Sequence, residues 1–161
     1  MRYRLRHVML AVATMVAGAG AMAAVGEGKG AQPLPGVSDP RQAHIDYMLK
    51  CQGCHRPDGT GSAESAPPLR NMVARFLGVE GGRSFIARVP GVAMTDLDDR
   101  RLAQLLNWAL YRFDPDHMSP AFQPFTAEEI ARLRAQPLRL ERIEVRERLL
   151  ARMEQEQAPG K

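Results

Sequence analysis

Apolar positions three and four residues apart mark out a succession of helices along this chain. Ser38-Asp39-Pro40 opens the first of them. Asp39 can cap it, and Pro40 suits the first helical position, where its missing N–H costs nothing. Ile45, Met48 and Leu49 carry the helix on toward residue 51 at helical spacing. Two short helices are predicted over 70–78 and 82–88, the first with Met72, Val73, Phe76 and Leu77, the second with Phe85, Ile86 and Val89 around it. Gly81-Gly82 parts them. A stronger helix starts at Asp98-Asp99, whose carboxylates suit the positive end of a helix dipole. Its apolar face is Leu102, Leu105, Leu106, Ala109 and Leu110, with Trp108 near the middle. Thr126-Ala127-Glu128-Glu129 has the form of a capped helix start, continued by Ile130 and Leu133. Residues 139–156 are dense in Arg and Glu, with Leu140, Ile143, Leu149, Leu150 and Met153 interspersed. Glu144 and Arg148 are spaced for an i to i+4 pair, and the segment reads as a solvated, charged tail helix.

The stretch that the first helix runs into is Cys51-Gln52-Gly53-Cys54-His55, two thiols and an imidazole within about one helical turn. This spacing is the signature of covalent c-type haem attachment. Each thiol can add across one haem vinyl group, and the adjacent histidine is then held beneath the ring with a nitrogen facing the iron. A thioredoxin-like redox disulfide would need a strand-helix-strand setting, and no strand alternation surrounds residue 51. A structural zinc site would need four ligands, and three drawn from this pentapeptide would be strained. His44 and His117 are the other imidazoles downstream of the leader.

Through that motif and the segments around it, the chain resembles the monohaem class I c-type cytochrome family over roughly residues 40 to 113. The resemblance implies an all-α fold: a small cytochrome c-like haem domain, here with an added C-terminal helical extension. It implies one haem c per chain, bound through Cys51 and Cys54, with His55 as proximal iron ligand. Ala66-Pro67-Pro68-Leu69 resembles the family's Gly-Pro-x-Leu segment, with Ala66 in place of the usual glycine. The Pro67 carbonyl would accept the free imidazole N–H, which locks the tautomer and raises ligand basicity. On composition alone Pro67-Pro68 is a stiff loop. In the family the last helix of the domain crosses the first and carries an aromatic residue at the place of Trp108, so Trp108 reads as core. Arg70, Arg75, Arg83 and Arg88 are candidates to pair with haem propionates.

The sixth ligand is open among Met94, Met118, His117 and no protein ligand. Met94 is favoured, because Pro90-Gly91-Val92-Ala93-Met94 stands just before the Trp108 helix, where the family has its ligand loop, although Thr95 replaces the usual proline. Met118, followed by Ser119-Pro120, imitates the same motif one helix later. Axial identity sets both potential and reactivity.

Arg2, Arg4 and Arg6, then an apolar run from Val8 to Ala24 closing in small residues, form a secretory signal peptide over residues 1–23. An uncleaved membrane anchor is the alternative, weakened by Gly18 and Gly20. Export to the periplasm and covalent haem support each other, since in the family haem is attached after translocation. The leader holds three of the 22 basic residues and none of the 18 acidic ones, so the formal charge falls from +4 to 19 − 18 = +1 without it. That near balance gives no basis for nucleic-acid binding. The remaining organisation is a Gly, Ala and Pro lead-in over 24–38, a haem domain over 39–113, a loop and short helix over 114–138, and the tail over 139–161.

The function this implies is an exported electron carrier, not an enzyme. Its expected partners are a periplasmic dehydrogenase on the donor side and an oxidase or another cytochrome on the acceptor side, with the membrane involved only if the leader stays. Two rivals remain: a haem enzyme or gas or redox sensor with an open or weakly ligated distal position, and a haem subunit of a larger oxidoreductase attached through the tail.

Overall fold

The computed structural model describes residues 33–63 and 66–157. The expected leader, the lead-in up to residue 32 and residues 158–161 lie outside the described residues. Among the described residues the chain is all-α, with one isolated bridge between Ser62 and Ala66.

Helix α1 spans Pro40–Lys50, and Asp39 accepts the Gln42 N–H at 2.9 Å as its cap. Its buried face is Ala43, Asp46 and Tyr47, while Met48 and Leu49, expected on the apolar stripe, are exposed. The reason is the partner. α1 lies against α5, Asp99–Phe113, and the small Ala43 lets Tyr47 reach the Trp108 and Phe113 rings, with centroids 5.5 and 4.8 Å away. Asp46 is only 1% exposed, a position a carboxylate tolerates when a cation and further donors satisfy it. Arg101 of α5 supplies the cation through Nη2 to Oδ1 and Nε to Oδ2, the latter at 3.2 Å, and Gln42 adds a bond of 2.9 Å.

The motif segment forms the single turn α2, Gln52–His55. A 3-10 turn over Ala74–Gly78, then α3 (Gly82–Arg88) and α4 (Pro90–Ala93), leads to α5. The break at Gly81-Gly82 has a steric cause. A Cβ on Gly82 would lie 1.8 Å from the Phe76 carbonyl oxygen, so the 3-10 turn folds back onto α3 only over a glycine.

Asp98 caps α5 by accepting the Arg101 N–H at 2.9 Å. Fully buried Asn107 on this helix donates to the Gly36 and Phe125 carbonyls, both at 3.1 Å, and accepts the Phe125 N–H at 2.9 Å. It thereby fastens the chain ahead of α1 and the chain ahead of α6 to one point. Helix α6, Ala127–Arg134, is capped by Thr126 through the Glu129 N–H at 3.2 Å and buries Ile130. Arg83 of α3 grips Glu129 with two bonds of 2.6 and 2.7 Å and the Gln123 carbonyl with a third at 2.7 Å. Arg88 donates to the Gln136 carbonyl at 2.6 Å. Two of the arginines expected at propionates therefore fasten α3 to the chain beyond α5.

Helix α7, Arg142–Gln157, carries the expected Glu144–Arg148 pair on its exposed side. It is docked on one face, with Leu149 and Met153 buried against α3 and the 3-10 turn. An i to i+4 apolar pair inside a charged segment was the trace of that contact. No helix among the described residues is long and apolar enough to cross a membrane.

Leu149 and Leu140 separate docking from helix formation, because Leu149 is 4% and Leu140 90% exposed. Leu149→Ala is expected to cost about 2–5 kcal/mol, the range for emptying a core position. Leu140→Ala should stay within about 0.5 kcal/mol. Urea unfolding followed by circular dichroism measures both; equal, small losses would mean that α7 is not part of the folded core.

Candidate functional site

The end of α1 delivers Cys51 to the site, its N–H still bonded to the Tyr47 carbonyl at 2.9 Å. The Cys51 carbonyl then accepts both the Cys54 and the His55 N–H, at 3.1 and 2.9 Å, which winds the five residues into one turn. Cys51 is half-buried and Cys54 exposed, and no disulfide joins them. Burial, followed by the Asp46 and Cys54 charges, pushes the Cys51 thiol up to about 11. The turn ends at Arg56, a non-glycine residue at φ 64°, whose carbonyl accepts the Tyr47 hydroxyl at 2.5 Å. Burial lifts that phenol to about 12, so it stays a donor. The residue that packs α1 on α5 thus also closes the end of the motif.

The loop after the motif is folded back by its own backbone. Gly61 N–H bonds the His55 carbonyl at 3.0 Å, Ser62 N–H bonds the Ala66 carbonyl at 2.9 Å, and the Gly59 carbonyl accepts from Leu69 and Arg70 at 2.8 and 3.0 Å. These bonds bring Pro67 over the imidazole, with its carbonyl oxygen 3.0 Å from His55 Nδ1. Alanine at position 66 accommodates the turn, its carbonyl closing the bridge to Ser62. Gly61 permits the approach: it sits at φ +63°, and a Cβ there would fall 2.2 Å from the Ala66 oxygen.

A carbonyl can only accept, so Nδ1 carries the proton and Nε2 keeps its lone pair. Burial holds the His55 pKa below the ordinary imidazole value, with the Pro67 bond opposing it in the smaller part. The result is a neutral imidazole, fixed in orientation, with one nitrogen available as a ligand.

The remaining candidates lie at opposite ends of α5. Met94 caps α4 just before α5 and is 66% exposed. Two residues on, Asp96 pairs with Lys50 at 2.8 Å, which ties this loop to the residue next to Cys51. Met118 follows the 3-10 turn Pro115–His117 beyond the other end of α5 and packs partly buried on the core. There the Phe113 carbonyl accepts the Asn71 N–H at 3.0 Å and Asp114 accepts the Ala74 N–H at 2.8 Å, which stitches this end to the chain just after Pro67. His117 gives its Nδ1 to buried Asp114 at 2.5 Å. The sequence reading missed Asp46, Arg101 and Asn107 as organisers of the site. A charged residue between Ala43 and Tyr47 on a packing face was the signal for the first.

A helical domain whose first helix ends in two thiols and a carbonyl-oriented imidazole is the architecture of a small c-type cytochrome. Known relatives agree. Cytochrome c-552 of Thermus thermophilus is 33% identical over a 107-residue alignment that covers 55% of this chain and 82% of that one. A second cytochrome c-552 from Thermus thermophilus is likewise 33% identical, over 72% of its length. The chain belongs to the monohaem class I c-type cytochrome family, and its cofactor is one haem c. No family model and no solved structure matches it. The donor set suits that group: two thiols within one turn, not joined by a disulfide, and a neutral imidazole oriented through its other nitrogen.

Gly61→Ala tests the carbonyl contact. Strain at a positive φ, with the Cβ against Ala66, should lower stability by about 1–3 kcal/mol. If His55 is the iron ligand, as its place in the motif predicts, displacing Pro67 makes it a poorer electron donor, and the reduction potential of the holoprotein should rise. Gly78→Ala, whose Cβ would meet nothing within 4 Å, should move neither. Chemical denaturation and redox titration give the two readings, and an unmoved potential in a strained Gly61→Ala protein would detach Pro67 from His55.

Proposed function

We propose that this chain is an exported carrier of single electrons, receiving them from a periplasmic dehydrogenase and passing them to an oxidase or another cytochrome. In this reading Cys51 and Cys54 would hold the haem through two thioether bonds, His55 Nε2 and Met94 would serve as the iron's ligands, and Pro67 would orient the His55 ring. Haem would supply the one-electron couple; the chain would supply its attachment and the ligand side chains. The observation that carries the reading is the bond from His55 Nδ1 to the Pro67 carbonyl at 3.0 Å. An imidazole that merely packs has no need of a fixed tautomer, whereas an iron ligand does.

Met94 is preferred to Met118 on position. α5 comprises 15 residues, about 22 Å at the helical rise, and it separates the two methionines. Met118 shares the end of α5 that is bonded to Asn71 and Ala74, on the side of the Pro67 loop. The Met94 loop, by contrast, is tied through Asp96 and Lys50 to the residue next to Cys51, which supports Met94 as the side chain that would complete the iron's ligands. The arginine-rich leader over 1–23 supports export. The exposure of Met94 supports a second reading, a weakly ligated distal position serving a haem enzyme or sensor.

Exported protein should keep its haem through denaturation. Replacing Cys51 and Cys54 together by alanine should abolish retention, and His55→Ala should remove the proximal bond. Haem staining after denaturing electrophoresis reads the first, and extraction of the chromophore into acidified solvent would sink the covalent assignment. The weak far-red sulfur-to-iron band of the oxidised protein should be present and vanish in Met94→Ala. Its absence from the wild type would select the second reading.

A further inference from the structure

We propose that Arg134 is the positioning residue of the loop that carries Met94, so that the chain beyond the haem domain governs how firmly the sixth coordination position is held. The inference rests on the reading of Met94 as distal ligand.

Arg134 ends α6 and points its guanidinium into the turn between α4 and α5, where its side chain is 18% exposed. Nε donates to the Ala93 carbonyl at 3.1 Å, Nη2 to the Thr95 carbonyl, and Nη1 to the Leu97 carbonyl at 2.7 Å and to the Asp99 carboxylate at 3.2 Å. One planar group thus takes the carbonyls of three alternate residues. Two of them flank Met94 directly. That arrangement uses the fixed fork of an arginine; a lysine ammonium has three donors on one atom and cannot span it.

The clamp has firm footing. Ile130 on the same helix is fully buried, Glu129 is held by Arg83, and the Leu138 N–H bonds the Arg88 carbonyl at 2.8 Å. From the other side Lys50 holds Asp96 beside the motif, in an exposed pair of the kind that contributes little. Arg134 is therefore the stronger of these two side-chain restraints, acting beside the burial of Ala93 and Leu97. Thr95 stands where the family has a proline, so this loop lacks the backbone stiffening that proline would give; the guanidinium supplies the rigidity from outside.

A loop restrained in this way should open rarely, and opening is what lets an external ligand reach ferric iron. The experiment compares wild type, Met94→Ala, Arg134→Lys, Arg134→Gln and the Arg134→Gln/Met94→Ala double variant as exported holoproteins, with cyanide as the probe. Haem retention after denaturation and far-ultraviolet circular dichroism are recorded for each. Arg134→Gln should bind cyanide about tenfold faster or more, the scale set by losing charged hydrogen bonds, with haem retained. Arg134→Lys should lie between it and wild type. Met94→Ala should be fast, and adding Arg134→Gln to it should change the rate by no more than about twofold, since residues acting on one event are not additive. A folded Arg134→Gln protein with the wild-type cyanide rate overturns the proposal. So does an Arg134→Gln effect that persists in full without Met94, or a wild type already as fast as Met94→Ala. If Arg134→Gln does not fold, Arg134→Lys decides instead: a rate above wild type supports the clamp, and an unchanged rate overturns it. Absence of retained haem in the wild type would instead remove the function on which the proposal rests.

Discussion

The crossing of α1 over α5 sets where the chain presents its two thiols. The contact is aromatic at its centre, where Tyr47 lies between Trp108 and Phe113, and ionic at its edge, where Asp46 meets Arg101. A buried carboxylate held by a partly exposed guanidinium is a weak source of stability but an exacting one. It tolerates one register only, because sliding α1 along α5 would leave a carboxylate buried without a cation, at a cost of about 3–5 kcal/mol. The register matters because Cys51 is the residue at which α1 stops. Fixing α1 on α5 fixes where both thiols emerge, and the Tyr47 hydroxyl on the Arg56 carbonyl extends that control to the end of the motif.

The sequence disclosed the helices wherever a cap and an apolar period coincided. Asp39-Pro40, Asp98 and Thr126 each mark a start that the structure realises. It disclosed the pentapeptide because the chemistry requires neighbours in the chain. What it did not disclose are partners distant in sequence. Asp46 and Arg101 carry no sequence motif, and become partners only once α1 and α5 are brought face to face. Nor did it disclose Asn107, whose amide meets the backbone of two segments on either side of α5. Apolar spacing in α1 pointed to the wrong stripe for the same reason. With Ile45, Met48 and Leu49 available, only the shape of α5 decides that Ala43 and Tyr47 face inward.

Arginine has an unexpected share of the fastening. Arg83, Arg88 and Arg134 join the segments on either side of α5 by gripping backbone carbonyls and two carboxylates, those of Glu129 and Asp99. A domain of this size has a limited apolar interior. Guanidinium forks provide cross-links that occupy no core volume. Because carbonyl acceptors carry no sequence signature, such cross-links leave no pattern in the residues they grip, which is why arginine-rich composition reads as solvated surface.

The chain's single tryptophan lies in the α1–α5 crossing, stacked on His44 with ring centroids 5.3 Å apart and edge-on to Phe113. It is the one strong intrinsic fluorophore of the protein, and it stands where α5 meets α1, the helix that leads into the thiols. Its emission in the haem-free chain therefore reports whether that junction has formed before the thiols are modified, giving the maturation of this cytochrome an optical marker that needs no label.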